Sequence, residues 1–389
     1  MTVLHLITRV TLGGTASDII DSVLATSRGG YPTILATGVD EGEMSMVEEA
    51  RARGCRVEVI PELQRDVSPV KDLVALWRIV RLLRRERVML LHTHTSKAGF
   101  LGRLAARLAR TPIVVHTPHG HVFYGYYGRA LTALFVLLER IAAPLADRII
   151  VLTEQEMEEH LERRIGRRNQ FVVIPSGVNL PALRAQAPPR EEARRRLGVS
   201  ADCQLLIGVG RLVPIKGFDV LVRALPAIVK EAPAARLCLV GDGPDRPPLE
   251  AEARALGVAD RVMLAGAHGQ VAPFLAAADL LVAPSRNEGL GKSLVEAMAL
   301  GLPVVATRVG GIPAVVADGE TGSLVPPDDP PALARAVGAL LKDPELRRRA
   351  GEAGRRRAEQ FSLAVMESRL LDLYRELCAQ KGLGWPRAS

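Results

Sequence analysis

Short runs of Val, Ile and Leu recur along the chain, and each is followed by a stretch whose apolar residues return every three or four positions. In the first half, residues 3–7, 32–37, 56–60, 88–92, 113–117, 148–153 and 171–175 read as buried strands, with helical patterns between them at 71–87, 98–109 and 154–163. Residues 180–190 (LPALRAQAPPR) hold three prolines and no apolar period, and so read as a linker. The alternation then restarts, with strands at 204–209, 235–240, 261–265, 280–283, 303–307 and 322–325. From Pro330 to about Ala379 the pattern is helical, and the last residues, 382–389, read as a frayed end. Strand alternating with helix implies a parallel sheet covered on both faces. The expectation is an α/β chain of two doubly wound domains, 1–180 and 181–362, with a final helix and tail at 363–389. Ligands of such sheets bind outside the carboxyl ends of the strands, so a cleft between the two domains is expected to hold the site.

Composition agrees with this and removes other classes. The chain has 389 residues, more than one core of roughly 250–300 residues can serve. Apolar residues make up 48% and charged residues 24%, a globular balance. The net charge of +8 favours anionic partners, but aromatics at 4% are poor material for stacking on bases, so nucleic acid is not expected. Cys55, Cys203, Cys238 and Cys378 show no paired spacing, which speaks against a disulfide framework or a zinc ribbon. The first residues, MTVLHLI, read as a strand rather than a signal peptide, and no apolar run reaches membrane-spanning length; a cytoplasmic setting is expected.

The loops carry the candidate chemistry. In APSRNEGLGKSLVEAMA (283–299) a strand ends, a glycine turn follows and a helix begins near Gly291. Backbone amides at the start of that helix, around Gly291, Lys292, Ser293 and Leu294, suit a diphosphate. Glu288 before them and Glu296 after them could grip hydroxyls on either side, though a plain strand-turn-helix with two surface carboxylates fits the spacing equally. Gly291, Lys292 and Ser293 imitate the end of a P-loop, but Arg286 stands where its first glycine is required. In GVGRLVPIKGF (208–218), Arg211 and Lys216 place two cations after a strand, where they could balance phosphate charge. Gly13 and Gly14 follow the first strand and would permit close approach of a substrate, or make a simple tight turn. His92, His94, His116, His119 and His121 are dense enough to raise a metal site, since imidazole is a common ligand. No cysteine lies nearby and His116 sits inside a valine-rich strand, so no metal is expected. His119, just past a strand end, is the histidine placed in the cleft.

Taken together, these residues resemble a family. Glu288 and Glu296 match the paired-glutamate element of the retaining family 4 (group 1) glycosyltransferases, and EGLGKSLVEAMALGLPVVATRVGGIPAVVADGETGSLVPPDD is similar to their signature throughout. GRLVPIKGFDVLVRA resembles their donor-phosphate loop, while THTSKAGFLGRLAARL and HTPHGHVFYGYYG resemble the bacterial polysaccharide branch. The resemblance implies the GT-B architecture, two Rossmann-like domains facing across a cleft, with a last helix returning to the first domain. It also implies transfer from a nucleoside-diphosphate sugar, a UDP-sugar by expectation, to a glycan or polyprenyl-diphosphate-linked acceptor, with no metal cofactor. Arg211 and Lys216 would hold the pyrophosphate, Glu296 the ribose and Glu288 the donor sugar; His119 would lie beside the transferred sugar, and Gly13 with Gly14 near phosphate or acceptor. Asn179 and Thr153 stand where the family usually has Asp and Ser. A nucleotide-sugar 2-epimerase and a non-catalytic partner protein share the scaffold and remain the alternatives. An NAD oxidoreductase is disfavoured, because LGGTAS replaces GxGxxG after the first strand.

One stretch points to a membrane surface. Residues 60–110 hold eleven Lys or Arg and four Asp or Glu, most of the net charge. Lys71, Arg78, Arg81 and Arg85 share one helix face, and Leu73, Trp77, Val80 and Leu83 lie on or near another. An ordinary sheet-covering helix has the same pattern. With a lipid-linked acceptor, peripheral binding at the inner leaflet is expected.

Overall fold

The computed structural model describes residues 2–10, 14–38, 44–119 and 128–384. By contact density the chain divides into two compact units, Met1–Gly177 with Ala364–Ser389 and Val178–Leu363. The first unit holds a seven-stranded sheet: β1 (Thr2–Arg9), β2 (Thr33–Gly38), β3 (Arg56–Val59), β4 (Val88–His94), β5 (Ile113–Thr117), β6 (Arg148–Val151) and β7 (Phe171–Val173). Its order is β3-β2-β1-β4-β5-β6-β7. The second unit holds six: β8 (Gln204–Val209), β9 (Ala235–Val240), β10 (Val262–Gly266), β11 (Leu280–Ala283), β12 (Val304–Thr307) and β13 (Gly322–Val325), in the order β10-β9-β8-β11-β12-β13. Every strand pair within the two sheets is parallel. Both orders run outward from the first strand and then reverse, the doubly wound Rossmann-like pattern whose ligand sites lie where the order turns.

The near-continuous apolar strands follow from burial on both faces. In β1, Leu4 and Leu6 pack with Ile79, Leu82 and Leu101 of the helices Pro69–Arg85 and Ser96–Ala109. Ile7 enters the opposite layer with Ile19 and Ile20 of the helix Gly14–Arg28. In the second unit the helix Phe218–Glu231 buries Val220, Leu221, Leu225 and Ile228 against β8 and β9. Full burial of each such side chain is worth roughly 1.5–3 kcal/mol.

One expectation is overturned. Residues 180–190 are not an open linker: Leu180–Gln186 is a helix, with Asn179 Oδ1 accepting from the Ala182 amide at 3.1 Å. Pro181 falls in its first turn, where a missing N–H costs nothing, so this proline starts a helix rather than breaking one. Thr153 does the same work for the helix Glu154–Glu162, accepting from the Glu156 amide at 3.1 Å. The two departures from the family pattern are therefore both good helix caps.

Candidate active site

In the second unit the sheet order turns between β8 and β11, and the loops leaving these two strands meet there. Lys216, after β8, places Nζ 2.5 Å from Oε2 of Glu288, after β11. The Glu288 carboxylate also accepts from Ser285 Oγ at 3.3 Å. Glycine makes this approach possible. Gly217 has φ +66° and lies so close to the Pro284 carbonyl that a Cβ would meet its oxygen at 2.1 Å. Arg286 ties the same loops together: it binds Asp219 and Asp328 at 2.7 Å each and donates to the Pro214 carbonyl at 2.5 Å. The residue that excluded a P-loop in the sequence thus fastens the Lys216 loop to the Glu288 loop.

The helix Lys292–Ala299 begins behind Gly291, which sits at φ +82° and offers no side-chain cap. A helix start of this kind is suited to an anion. Lys216, Glu288, Gly291 and Ser293 line one small pocket. Leu294 does not contribute its N–H as expected. That amide donates to the Gly291 carbonyl at 2.9 Å and the side chain is buried, so tight first-turn geometry assigns Leu294 to packing. Glu296 projects from the helix into packed surroundings, and burial pushes its carboxyl above the ordinary range while Lys292 pulls it back. Arg211 is exposed and makes no ion pair among the described residues.

In the first unit the order turns between β1 and β4, and the histidines gather there. Gly14 opens the helix Gly14–Arg28, while Gly13 and His121 lie outside the described residues. The five-histidine group suggested by the sequence is not one group. Strand alternation sends His92 and His94 to one face of β4 and Thr93 to the other, and His116 of β5 joins Thr93, with Nδ1 3.0 Å from Thr93 Oγ1. There His116 lies beside the buried Arg103–Glu139 ion pair of 2.8 Å. Its place is taken by His5 of β1, in register with His92.

On the His5 face, His94 Nε2 lies 3.1 Å from His5 Nδ1 and His94 Nδ1 lies 2.8 Å from His119 Nε2. His92 holds Tyr374 Oη of the last helix at 2.6 Å and Thr117 Oγ1 at 2.7 Å. His119 has φ +56°, a left-handed turn immediately past β5 that histidine tolerates better than most residues. Burial holds His5 down to about 3 and lowers His92 and His94 well below the ordinary range, with neighbouring histidines adding to the effect. A cavity of about 30 Å³ adjoins them, lined by Asp18, Ser22, His119, Ser176 and Met366 among others. Ser176 Oγ donates to Asp18 Oδ2 at 2.6 Å. Sequence reading missed His5, Asp18, Arg286 and Tyr374. Of these the sequence singles out only Arg286, as the position that excludes a P-loop.

Comparison with known proteins agrees with the fold and with the family resemblance. Residues 189–357 match the model "Glycosyl transferases group 1" and residues 16–177 match "Glycosyl transferase 4-like domain". A D-inositol 3-phosphate glycosyltransferase of Streptomyces avermitilis is 37% identical over 73% of this chain and 64% of its own, so the chain spans less than two thirds of that relative. One of the same name from Corynebacterium glutamicum is 31% identical over 90% of this chain and 87% of its own. An Escherichia coli protein named UDP-Gal:alpha-D-GlcNAc-diphosphoundecaprenol alpha-1,3-galactosyltransferase is 28% identical over 84% of this chain and 85% of its own. Among solved structures, Anabaena Alr3699/HepE in complex with UDP superposes with a TM-score of 0.83 at 23% identity, covering 97% of this chain and all of that one.

Proposed function

The chain belongs to the group 1 glycosyltransferases, and from that premise we propose that it moves a sugar from a UDP-sugar, with retention of anomeric configuration, onto a lipid-linked glycan at a membrane surface. The observation that carries the donor reading is the meeting of Lys216, Glu288 and an uncapped helix start at the turning point of the second sheet. A diphosphate needs fixed positive charge and backbone N–H groups, and a sugar hydroxyl needs a carboxylate acceptor; this pocket offers all three. Arg211 and Lys216 bind the diphosphate, Glu288 a hydroxyl of the sugar and Glu296 the ribose. His119 presents a ring nitrogen to substrate at the carboxyl edge of the first sheet.

In the reaction the bond from the anomeric carbon to the diphosphate breaks, and the acceptor oxygen bonds to that carbon on the same face. The acceptor proton passes to an oxygen of the departing diphosphate. Arg211 and Lys216 stabilise the charge that builds on the leaving group, where preorganised contacts are worth most. This account routes no step through a metal, and chelator is expected to leave transfer intact.

The lipid-linked acceptor is supported by an exposed apolar face on the first unit. Val67, Val70, Leu73 and Trp77 of the helix Pro69–Arg85 and its approach are largely exposed, as are Leu134, Leu137 and Ile141 of the helix Arg129–Ala142. Both helices pack on Ser96–Ala109, whose Leu108 is also exposed. Arg81 stacks over the Trp77 ring at 5.5 Å, a pairing suited to a headgroup layer. Leu83 is buried and belongs to the core rather than to this face. Among the described residues no helix is long and apolar enough to cross a membrane.

The test is to incubate purified protein with a panel of nucleotide sugars, with and without polyprenyl-diphosphate-linked sugars, and to score nucleoside diphosphate release. Release with UDP-sugars, dependent on acceptor and giving a product of unchanged anomeric configuration, is expected. Isomerised nucleotide sugar without acceptor, or no turnover with any lipid-linked acceptor, would refute the reading.

A further inference from the structure

His119, His94 and His5 form a single file. The planes of the His5 and His94 rings are parallel within 9°, and their centroids, 5.3 Å apart, have close to the spacing that a head-on N–H···N bond of 3.1 Å demands. The rings of His94 and His119 stand 5.0 Å apart at 34° around their bond of 2.8 Å. Two zinc ligands would instead aim both lone pairs at an ion about 2.0–2.1 Å from each nitrogen. The head-on approach of His5 and His94 is that of a shared proton.

A neutral imidazole has one N–H and one lone pair. His94 is bonded through both nitrogens, so it must donate in one direction and accept in the other. With all three rings neutral the file has two arrangements, and choosing one proton chooses all three. In the first, His5 Nδ1 donates to His94 Nε2, His94 Nδ1 donates to His119 Nε2, and His119 keeps its proton on Nδ1. In the second every donor is reversed, and His5 carries its proton on Nε2. Among the described residues His5 Nε2 is buried without a partner. The second arrangement leaves a donor stranded there, and orphaned N–H groups are rare in protein interiors. The first leaves only a lone pair.

We infer that His5 and His94 are positioning residues that fix the proton of His119 on Nδ1, so that His119 meets substrate as a hydrogen-bond donor through that nitrogen. The inference deepens the proposed transferase reading and rests on it for the identity of the substrate oxygen. A sugar hydroxyl or a phosphate oxygen would accept this bond. Protonating His119 at Nε2 would require the whole file to reverse, which the buried end of the file opposes. His92, bonded to Tyr374 and Thr117, flanks the file without joining it. Asp18 is the carboxylate in the wall of the adjoining cavity among the described residues.

The experiment uses the full chain with ring-¹⁵N histidine, read by long-range ¹H–¹⁵N correlation at neutral pH without substrate, with His119 assigned by loss of its signals in His119→Gln. Wild-type protein is expected to show a protonated Nδ1 and a bare Nε2 at His119. His5→Leu should mix the two forms and lower kcat by about 10-fold, the scale of one neutral hydrogen bond, with little change in KM for the donor. His5→Asn should restore both readouts, because its amide nitrogen can donate where Nδ1 does. A proton on Nε2 of wild-type His119, a His119 signature untouched by His5→Leu, or stoichiometric zinc in purified protein would overturn the inference. The spectrum needs no turnover: the expected tautomer in a protein that transfers no sugar would condemn only the transferase reading.

Discussion

Removing the Lys216 ammonium isolates the contribution of the proposed donor pocket. Lys216 and Glu288 are 2.5 Å apart with side chains 23% and 18% exposed, so each is partly shielded by the loops yet open to a ligand. In the free protein the pair neutralises itself, and a pair this accessible adds only about 0–1 kcal/mol to stability. The stability of Lys216→Ala should therefore stay close to wild type. Binding is a different matter: a hydrogen bond to a charged group contributes about 1.5–3 kcal/mol, so UDP affinity should fall roughly 10- to 150-fold. Transfer should fall further, by about 10²–10³, because charge on the diphosphate grows as the sugar leaves. Calorimetry with UDP measures the first effect without requiring the acceptor, and nucleotide release measures the second.

The double variant Lys216→Ala with Glu288→Gln sharpens the test. Bonded partners do not act independently, and a coupling of about 0.5–3 kcal/mol is expected between them. Near wild-type UDP affinity and turnover in Lys216→Ala, or strictly additive losses in the double variant, would refute the pocket as drawn.

Three other outcomes are expected. Arg103 is fully buried against Glu139, so Glu139→Ala should destabilise the first unit by about 3–5 kcal/mol, while Arg103→Met with Glu139→Leu should recover much of the loss; equal denaturation midpoints for wild type and Glu139→Ala would refute this. His5, His92, His94 and His116 are all held below the ordinary histidine range by burial, so the unfolded chain takes up protons that the folded chain refuses; the stability present at neutral pH is lost as pH falls, about 1 kcal/mol per histidine between pH 6.5 and 5.5, and a flat melting temperature over that interval would contradict it. Binding to anionic vesicles should be salt-sensitive, reduced by Arg78→Glu with Arg81→Glu, and reduced further by Leu73→Ser with Trp77→Ser; co-sedimentation indifferent to all four changes would leave the exposed face without a membrane role.

The fold was largely legible because parallel strands buried on both faces leave a strong local signal. All thirteen observed strands correspond to the apolar runs. The stretch at 180–190 was misread because proline serves two opposite purposes: it interrupts a helix from within and starts one at the first turn, and the choice depends on a cap such as Asn179. The loops that bring Lys216 and Glu288 together were legible for a related reason. Glycine, lysine and glutamate lie within short segments at strand ends, so their spacing in sequence approximates their spacing in space. Arg286 was visible only as a failed P-loop position, since its partners Asp219 and Asp328 are 67 and 42 residues away.

The histidines show where local pattern stops being informative. A strand turns successive side chains to opposite faces, so closeness in sequence divides neighbours as readily as it unites them. His92 and His94 stay together because they are two apart. His116 lies on β5, beside β4, yet pairs across the sheet with Thr93 and so faces the other layer. His5, eighty-seven residues before His92, becomes its neighbour because β1 and β4 lie side by side where the sheet order turns. Neither fact can be read from spacing; both follow once strand order and register are known. The turn that brings β1 beside β4 is also the place where such a sheet receives its ligand, so the topology that gathers these buried imidazoles also sets His119 at their outer end. A file of histidines at that position can hold one proton in place for a substrate, whereas counting five histidines along the sequence only raised a metal site in order to set it aside.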